Sequence, residues 1–276
     1  VIAFELTVPA AAEEVATVVL WEHGTAGVEV RGRAGDGLVL LAYFEAAEGL
    51  EGRLRQALAA LPEAHLRQVD VPQVDWVARF REGFRGFSAG GFRIAPCWDL
   101  PAAAAEPVLV VDPGQAFGTG THESTRLCLR ALERIAAEGA LGCVLDVGAG
   151  SGILGIAAAL RGARHVAAVD VDPETLAIAR RHAALNRVDL RLVHGDGAAA
   201  FRAGRFDLVF ANISAAALQE VRAEVVAATA PGGRLVLSGF LNEEAGRVAR
   251  AYEGAGEAEH LSEGEWSALV VRVPRG

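Results

Sequence analysis

The chain has 276 residues, 52% of them hydrophobic and 22% charged, with a formal net charge of −9, enough for one large domain or a core domain with a small companion. Its apolar runs stop short of the roughly 18 residues that would span a bilayer. The acidic balance argues against a partner held chiefly through phosphates and suits a basic protein, although acidity that serves solubility alone has the same sign.

All 26 basic residues are Arg, with no Lys or Met, so no lysine of this protein can act as a base or Schiff-base former. Cys97, Cys128 and Cys143 have neither disulfide nor zinc spacing, and no basic stretch precedes an apolar one at the start. The expectation is a cytoplasmic monomer without metal, membrane or direct nucleic-acid partner.

In chain order, Ile2, Phe4, Leu6 and Val8 alternate as in a strand. A helix over residues 11–22, a short strand over 27–31 and an apolar strand over 38–44 follow, the last after the turn signal Gly35-Asp36-Gly37. Residues 50–61 read as a helix with Leu50, Leu54, Ala57, Leu58 and Leu61 on one face, and 66–71 as a strand. The order β-α-β-β-α-β predicts a small ferredoxin-like α+β domain over residues 1–71, a fold that by itself identifies no function.

Residues 72–95 interleave Trp76, Phe80, Phe84, Phe87 and Phe92 with Arg79, Arg81, Arg85 and Arg93. Such a stripe can be a nucleic-acid platform; in an acidic chain it reads better as an amphipathic linker helix packed on its neighbours. Residues 96–276 are expected to form a second domain. Strands are predicted at 143–147, 165–170, 190–194, 206–211, 234–238 and 266–273. Helices are predicted at 153–161, 173–185, 215–230 (stopped by Pro231-Gly232-Gly233) and 243–252. This alternation predicts an α/β fold, a doubly wound, Rossmann-like parallel sheet with helices on both faces.

The strongest chemical signal is Val144-Leu145-Asp146-Val147-Gly148-Ala149-Gly150-Ser151-Gly152, at a strand-to-helix junction. Glycine is needed where the chain turns sharply and a ligand touches backbone. Ile153 occupies the position where a dinucleotide fingerprint needs its last glycine, and no Gly-Lys-Ser/Thr follows. Gly148 and Gly150 therefore fit the amino-acid and sulfonium part of S-adenosylmethionine better than a pyrophosphate. Asp170, at the next strand end, can accept both ribose hydroxyls. Asp172, just before Pro173, reads as a helix cap. Asp196, between Gly195 and Gly197, can meet the adenine amino group. Any one of these aspartates is unremarkable; their recurrence at successive strand ends carries the reading.

Residues 112–125, Asp-Pro-Gly-Gln-Ala-Phe-Gly-Thr-Gly-Thr-His-Glu-Ser-Thr, lead into a helix near Glu123. A glycine-dense loop with one aromatic, Phe117-Gly118-Thr119, suits a cofactor lid; a tight connection is the plainer alternative. Asn212, in Ala211-Asn212-Ile213-Ser214, offers an amide oxygen to an amine N–H. His122 is a candidate base if one exists, and equally a helix-start histidine.

The lid segment resembles the D-P-G-x-A-F-G-T-G-x-H-x-x-T signature of ribosomal protein L11 methyltransferases. The glycine turn, Asp170-Val171-Asp172-Pro173, Ala211-Asn212-Ile213 and Ser238-Gly239 resemble that family's further blocks in the same order, and Asp75-Trp76 to Phe80 and Ile94-Ala95-Pro96-Cys97-Trp98 its linker and the start of its catalytic domain. By motif the resemblance covers residues 70–275. It implies S-adenosylmethionine as cofactor, S-adenosylhomocysteine as product and ribosomal protein L11 as substrate, methylated on lysine or N-terminal amines. It also implies cofactor contacts at Thr125, Gly148, Asp170 and Asn212, and a substrate grip by the N-terminal domain. Gln115, Ala149, Ser124 and Ser214 depart from the family's usual residues, which bears on substrate identity.

Alternatives are a protein-lysine methyltransferase with another target, a nucleic-acid amine methyltransferase, and a non-enzymatic cofactor sensor. The nucleic-acid reading lacks the aromatic after Asn212 that would stack on a flipped base.

Overall fold

The computed structural model describes residues 2–9, 12–34, 37–47, 49–59, 61, 63–70, 85–112 and 120–275. The chain divides into two compact units, residues 1–75 and 76–276. None of the described helices is long and apolar enough to cross a membrane.

In the first unit, β1 (Ile2–Pro9), α1 (Glu13–Glu22), β2 (Gly27–Ala34), β3 (Gly37–Phe44), α2 (Leu50–Leu58) and β4 (His65–Val69) follow one another. The sheet runs β2-β3-β1-β4 with every pair antiparallel, the strand order of a ferredoxin-like fold. The period of two along β1 puts Phe4, Leu6 and Val8 on the face that α1 and α2 cover. They meet Leu40, Phe44, Leu20, Leu54 and Leu58 there, and the Phe4 and Phe44 rings pack edge to face at 5.9 Å. Buried Thr25 donates its hydroxyl to Tyr43 O at 2.9 Å, tying the α1–β2 turn to β3.

The second unit opens differently from the linker helix expected to residue 95. Residues 71–84 lie outside the described residues, but β5 (Phe87–Ala89) and β6 (Phe92–Pro96) form an antiparallel hairpin. The reason is local: Gly90 and Gly91 both take positive φ, +55° and +68°, which a turn accepts and a helix does not. An added Cβ on Gly90 would lie 2.4 Å from Leu129 C, so the hairpin tip requires glycine. β7 (Val108–Val111) pairs parallel to β6 and completes a three-stranded sheet.

α3 (Glu123–Glu138), β8 (Cys143–Val147), α4 (Ile153–Leu160), β9 (His165–Asp170), α5 (Pro173–Leu185), β10 (Arg191–His194) and β11 (Phe206–Asn212) then alternate. α6 (Ala215–Glu220), α7 (Arg222–Ala228), β12 (Thr229–Leu241), α8 (Ala245–Ala251), β13 (Glu257–Glu263) and β14 (Trp266–Arg272) complete the unit. The main sheet has the order β10-β9-β8-β11-β12-β14-β13. Its first five strands and β13 run in one direction, and β14 alone runs against them, antiparallel to both β12 and β13, so it is a mixed sheet, not an all-parallel one. Strands reverse order beside β8, where open α/β sheets present their ligand crevice. Two apolar layers sandwich it, with Val144, Leu154, Ile156 and Phe210 on one side and Leu145, Val209, Leu218 and Tyr252 on the other.

Three further expectations need correction. The helix expected over 215–230 breaks at Val221 into α6 and α7. Thr229 already pairs with Phe206, and Pro231-Gly232-Gly233 sits inside β12, absorbed by a register shift between Phe206 and Leu208. The helix expected over 243–252 begins as a 3-10 turn, Asn242–Glu244, before α8. β13 has no apolar signature at all. It is a charged edge strand, held by Glu263 and Glu259 accepting from Arg126 (2.6 Å), Arg130 (3.1 Å) and Arg134 (2.7 Å) along α3.

Candidate active site

The glycine segment lies where β8 ends and α4 begins. Gly148, Gly150 and Gly152 all take left-handed φ, +68°, +55° and +77°. Gly148 N and Ala149 N both donate to Val169 O, at 2.9 and 3.1 Å, which folds the turn onto the end of β9. An added Cβ on Gly148 would lie 2.3 Å from Ile213 Cγ2. Only glycine lets this turn approach the loop that follows β11.

Asp170 closes β9 beside that turn. Its Oδ2 accepts from Gly150 N at 2.8 Å and its Oδ1 from Asp172 N at 3.0 Å. Each carboxylate oxygen has two acceptor positions, so one on each remains for a ligand, as a vicinal diol requires. Asp172 is a cap, as its place before Pro173 predicts: Oδ1 accepts from Glu174 N and Oδ2 from the Thr175 hydroxyl, both at 2.8 Å. The Thr175 hydroxyl first, and then the Glu174 amide, hold its carboxyl below the usual carboxylate range. Asp196 is exposed in the turn after β10, and Gly195 N donates to Asp170 O at 3.0 Å, placing that turn beside Asp170.

Asn212 ends β11, next to β8 in the sheet. Its Nδ2 donates to Oγ1 of buried Thr125, in the first turn of α3, at 3.4 Å. With Nδ2 so engaged, Oδ1 is the acceptor end of the amide. Ile213 N donates to Ser238 O at 3.1 Å, and an added Cβ on Gly239 would come within 2.5 Å of Ile213 O. The Ser238-Gly239 pair therefore seats the Asn212 loop. Ser214 accepts from Ala217 N at 3.3 Å and caps α6.

His122 is the N-cap of α3. Its Nδ1 accepts from Ser124 N at 3.3 Å, and its ring packs edge to face on Trp266 at 4.3 Å. That is the helix-start reading of this histidine. Phe117, Gly118, Thr119 and Gln115 lie outside the described residues.

Three polar residues escaped the sequence reading. His182, buried in α5, spans two loops, with Nδ1 3.0 Å from Ser151 O in the glycine turn and Nε2 accepting from Asp112 N at 3.1 Å. Nδ1 therefore carries the proton, since a carbonyl can only accept. Asn186, one turn on, clamps Val110 through both its N–H and its C=O at 2.7 Å. A histidine within a helical stretch gives no local sign of either role.

Asp146 is the third, a carboxyl 1% exposed inside β8 that accepts from Gly155 N in α4 at 2.9 Å. Burial pushes it up to about 7, with the nearby Asp170 charge adding and the Gly155 amide opposing. In the native chain it holds its proton over a range where the unfolded chain, with a carboxyl near 3.8, has lost it. The native state binds the extra proton there, so this group's contribution to stability falls as pH rises from about 4 to about 7 and is level above. Asp146→Asn is expected to shrink the loss of stability between pH 5 and pH 8, measured from urea midpoints. Equal pH dependence in both proteins would contradict the buried-carboxyl origin.

A family profile described as "Ribosomal protein L11 methyltransferase (PrmA)" matches residues 2–274. The chain belongs to the ribosomal protein L11 methyltransferase family. Relatives bearing that family's name include those of Geobacter metallireducens, 43% identical over 203 residues (72% of this chain and 66% of the relative), and Geobacter sulfurreducens, 39% over 251 residues (86% and 82%). The relative from Myxococcus xanthus is 35% identical over 272 residues (94% and 93%). Among solved structures, ribosomal protein L11 methylase from Lactobacillus delbrueckii subsp. bulgaricus aligns with a TM-score of 0.60 at 31% identity, covering 66% of this chain and 94% of that one. The family match reaches through the first unit, where the sequence resembled the family in fold alone.

Proposed function

We propose that this chain transfers methyl groups from S-adenosylmethionine to amino groups of ribosomal protein L11. Apart from family membership, the observation that carries the reading is the convergence of the glycine turn, Asp170 and the Asn212–Thr125 pair at the carboxyl ends of adjacent strands β8, β9 and β11. The residues fit the cofactor: Gly148 lets the turn close against the Asn212 loop, bringing the two together, and Asp170 keeps one acceptor position per oxygen for the ribose hydroxyls. Asp196 takes the adenine amino group, and Gly150 borders the amino-acid portion. Phe117, Gly118 and Thr119 are proposed as the lid.

When bound, the cofactor supplies a sulfonium-activated methyl group, so the protein needs no strong base. Asn212 Oδ1 accepts an N–H of the incoming amine and directs its lone pair. A lysine amine of pKa about 10.4 costs about 4 kcal/mol to hold neutral at pH 7.4. Orientation of reacting groups can supply roughly 7 to 11 kcal/mol. Positioning by Asn212 therefore suffices, with the proton passing to water, and His122, engaged at the start of α3, is not required. Ile213 packs toward Gly148 instead of presenting an aromatic face, which disfavours a flipped nucleobase as substrate.

The acidity lies largely in the first unit, where residues 1–75 hold 12 acidic and 5 basic residues. That unit is proposed to grip the basic substrate protein. The reading is tested by incubating the pure chain with radiolabelled S-adenosylmethionine and a ribosomal protein extract. Label is expected on L11; label confined to another protein or to RNA would overturn the substrate assignment.

A further inference from the structure

A groove of about 1100 Å³ lies at the amino ends of β8, β9, β10 and β11, the end of the sheet opposite the glycine turn. It exists because no helix intervenes between β10 and β11 among the described residues. α6, α7 and α8 pack on the far half of this face, so the lower half of β9 and β10 is left without a covering helix. Its floor includes Ala167, Val193 and Phe201.

The rim carries Arg164, Arg191, Arg202 and Arg205, all exposed, together with His165, against a single acid, Asp189. None of these four arginines forms an ion pair with a described residue, whereas Arg126, Arg134 and Arg234 on other surfaces are each bound to a glutamate. In a chain of net charge −9, four unneutralised guanidinium groups around one apolar concavity form a local field of opposite sign.

We propose that this groove docks an extended acidic peptide segment of a partner protein. Three features select that occupant. Guanidinium groups match carboxylates in paired, bidentate geometry. β10 is an edge strand that pairs only with β9 among the described residues, so its outer backbone groups can receive a second extended chain. Phe201 packs edge to face on buried Phe206 at 5.4 Å, so the groove offers one partly exposed phenyl ring, where single-stranded RNA is gripped by a succession of stacking aromatics.

The test is fluorescence anisotropy of the full chain with a fluorescein-labelled 12-residue peptide of alternating Glu and Val. Saturable 1:1 binding is expected, weakened by added salt. It should fall about tenfold in the Arg191→Gln/Arg202→Gln double variant, the scale of two exposed charge pairs, and be unchanged in Arg250→Gln on α8. Should the first double variant fail to give a native thermal melt, Arg164→Gln/Arg205→Gln makes the same measurement. Equal affinity in wild type and rim variants overturns the proposal, as does absence of binding. Tighter binding of a labelled 12-nucleotide oligouridylate would assign the groove to RNA instead. Self-association in sedimentation that the rim substitutions abolish would assign it to a second copy.

Discussion

Replacing Asp170 with alanine is expected to weaken S-adenosylmethionine binding by about a hundredfold or more while leaving the chain folded. The carboxylate is held at both oxygens by backbone amides, Gly150 N at 2.8 Å and Asp172 N at 3.0 Å. Its remaining acceptor positions are therefore fixed in direction before any ligand arrives, so little ordering entropy is lost on binding. A hydrogen bond to a charged group is worth about 1.5 to 3 kcal/mol; two such bonds to a diol account for at least a hundredfold in affinity. Alanine also releases the Gly150 and Asp172 amides, which loosens the turn itself. Asp170→Asn separates the two effects: its one oxygen can satisfy one amide, but its NH2 group faces the other. Calorimetric titration of both variants is the measurement. Unchanged affinity in Asp170→Ala would remove this residue from the cofactor seat.

Asn212→Ala is expected to act on the other half of the reaction, lowering the single-turnover rate of methyl transfer by about a hundredfold, the cost of a misplaced reacting group. Cofactor affinity should change only a few-fold. Alanine removes the amide oxygen proposed to accept from the substrate amine, and the donor to Thr125 Oγ1, 3.4 Å away. The split between a lost rate and a retained dissociation constant is what distinguishes orientation of the nucleophile from general loosening of the site. Unchanged turnover would show that the amine is oriented by other groups.

The two substitutions differ in how legible their residues were. Asp170 could be placed from the chain alone, because an aspartate that ends an apolar strand a fixed distance after a glycine turn is a local pattern. The same holds for Asp172, whose cap is made with the next three residues. Asn212 could be nominated from the end of its strand, but not its partner. Thr125 lies 87 residues earlier and becomes a neighbour only when α3 crosses the sheet.

The sequence by itself determined the alternation of strands and helices, the glycine turn, the α5 cap and the ferredoxin-like order of the first unit, since each rests on contacts within a few residues or on a period of 2 or 3.6. Tertiary structure alone decided the rest. β13, too polar to announce itself, is a strand because β14 offers its edge and α3 offers three arginines. β12 runs through Pro231 because a register shift against β11 absorbs it. His182 becomes a tie between the glycine turn and Asp112, and Asp146 becomes a carboxyl that keeps its proton, only once packing has removed water from both. The arginine rim, scattered over residues 164–205, gathers around one groove because four strands begin at the same end of one sheet. Burial and convergence are properties of the closed sheet, and no window along the chain contains them.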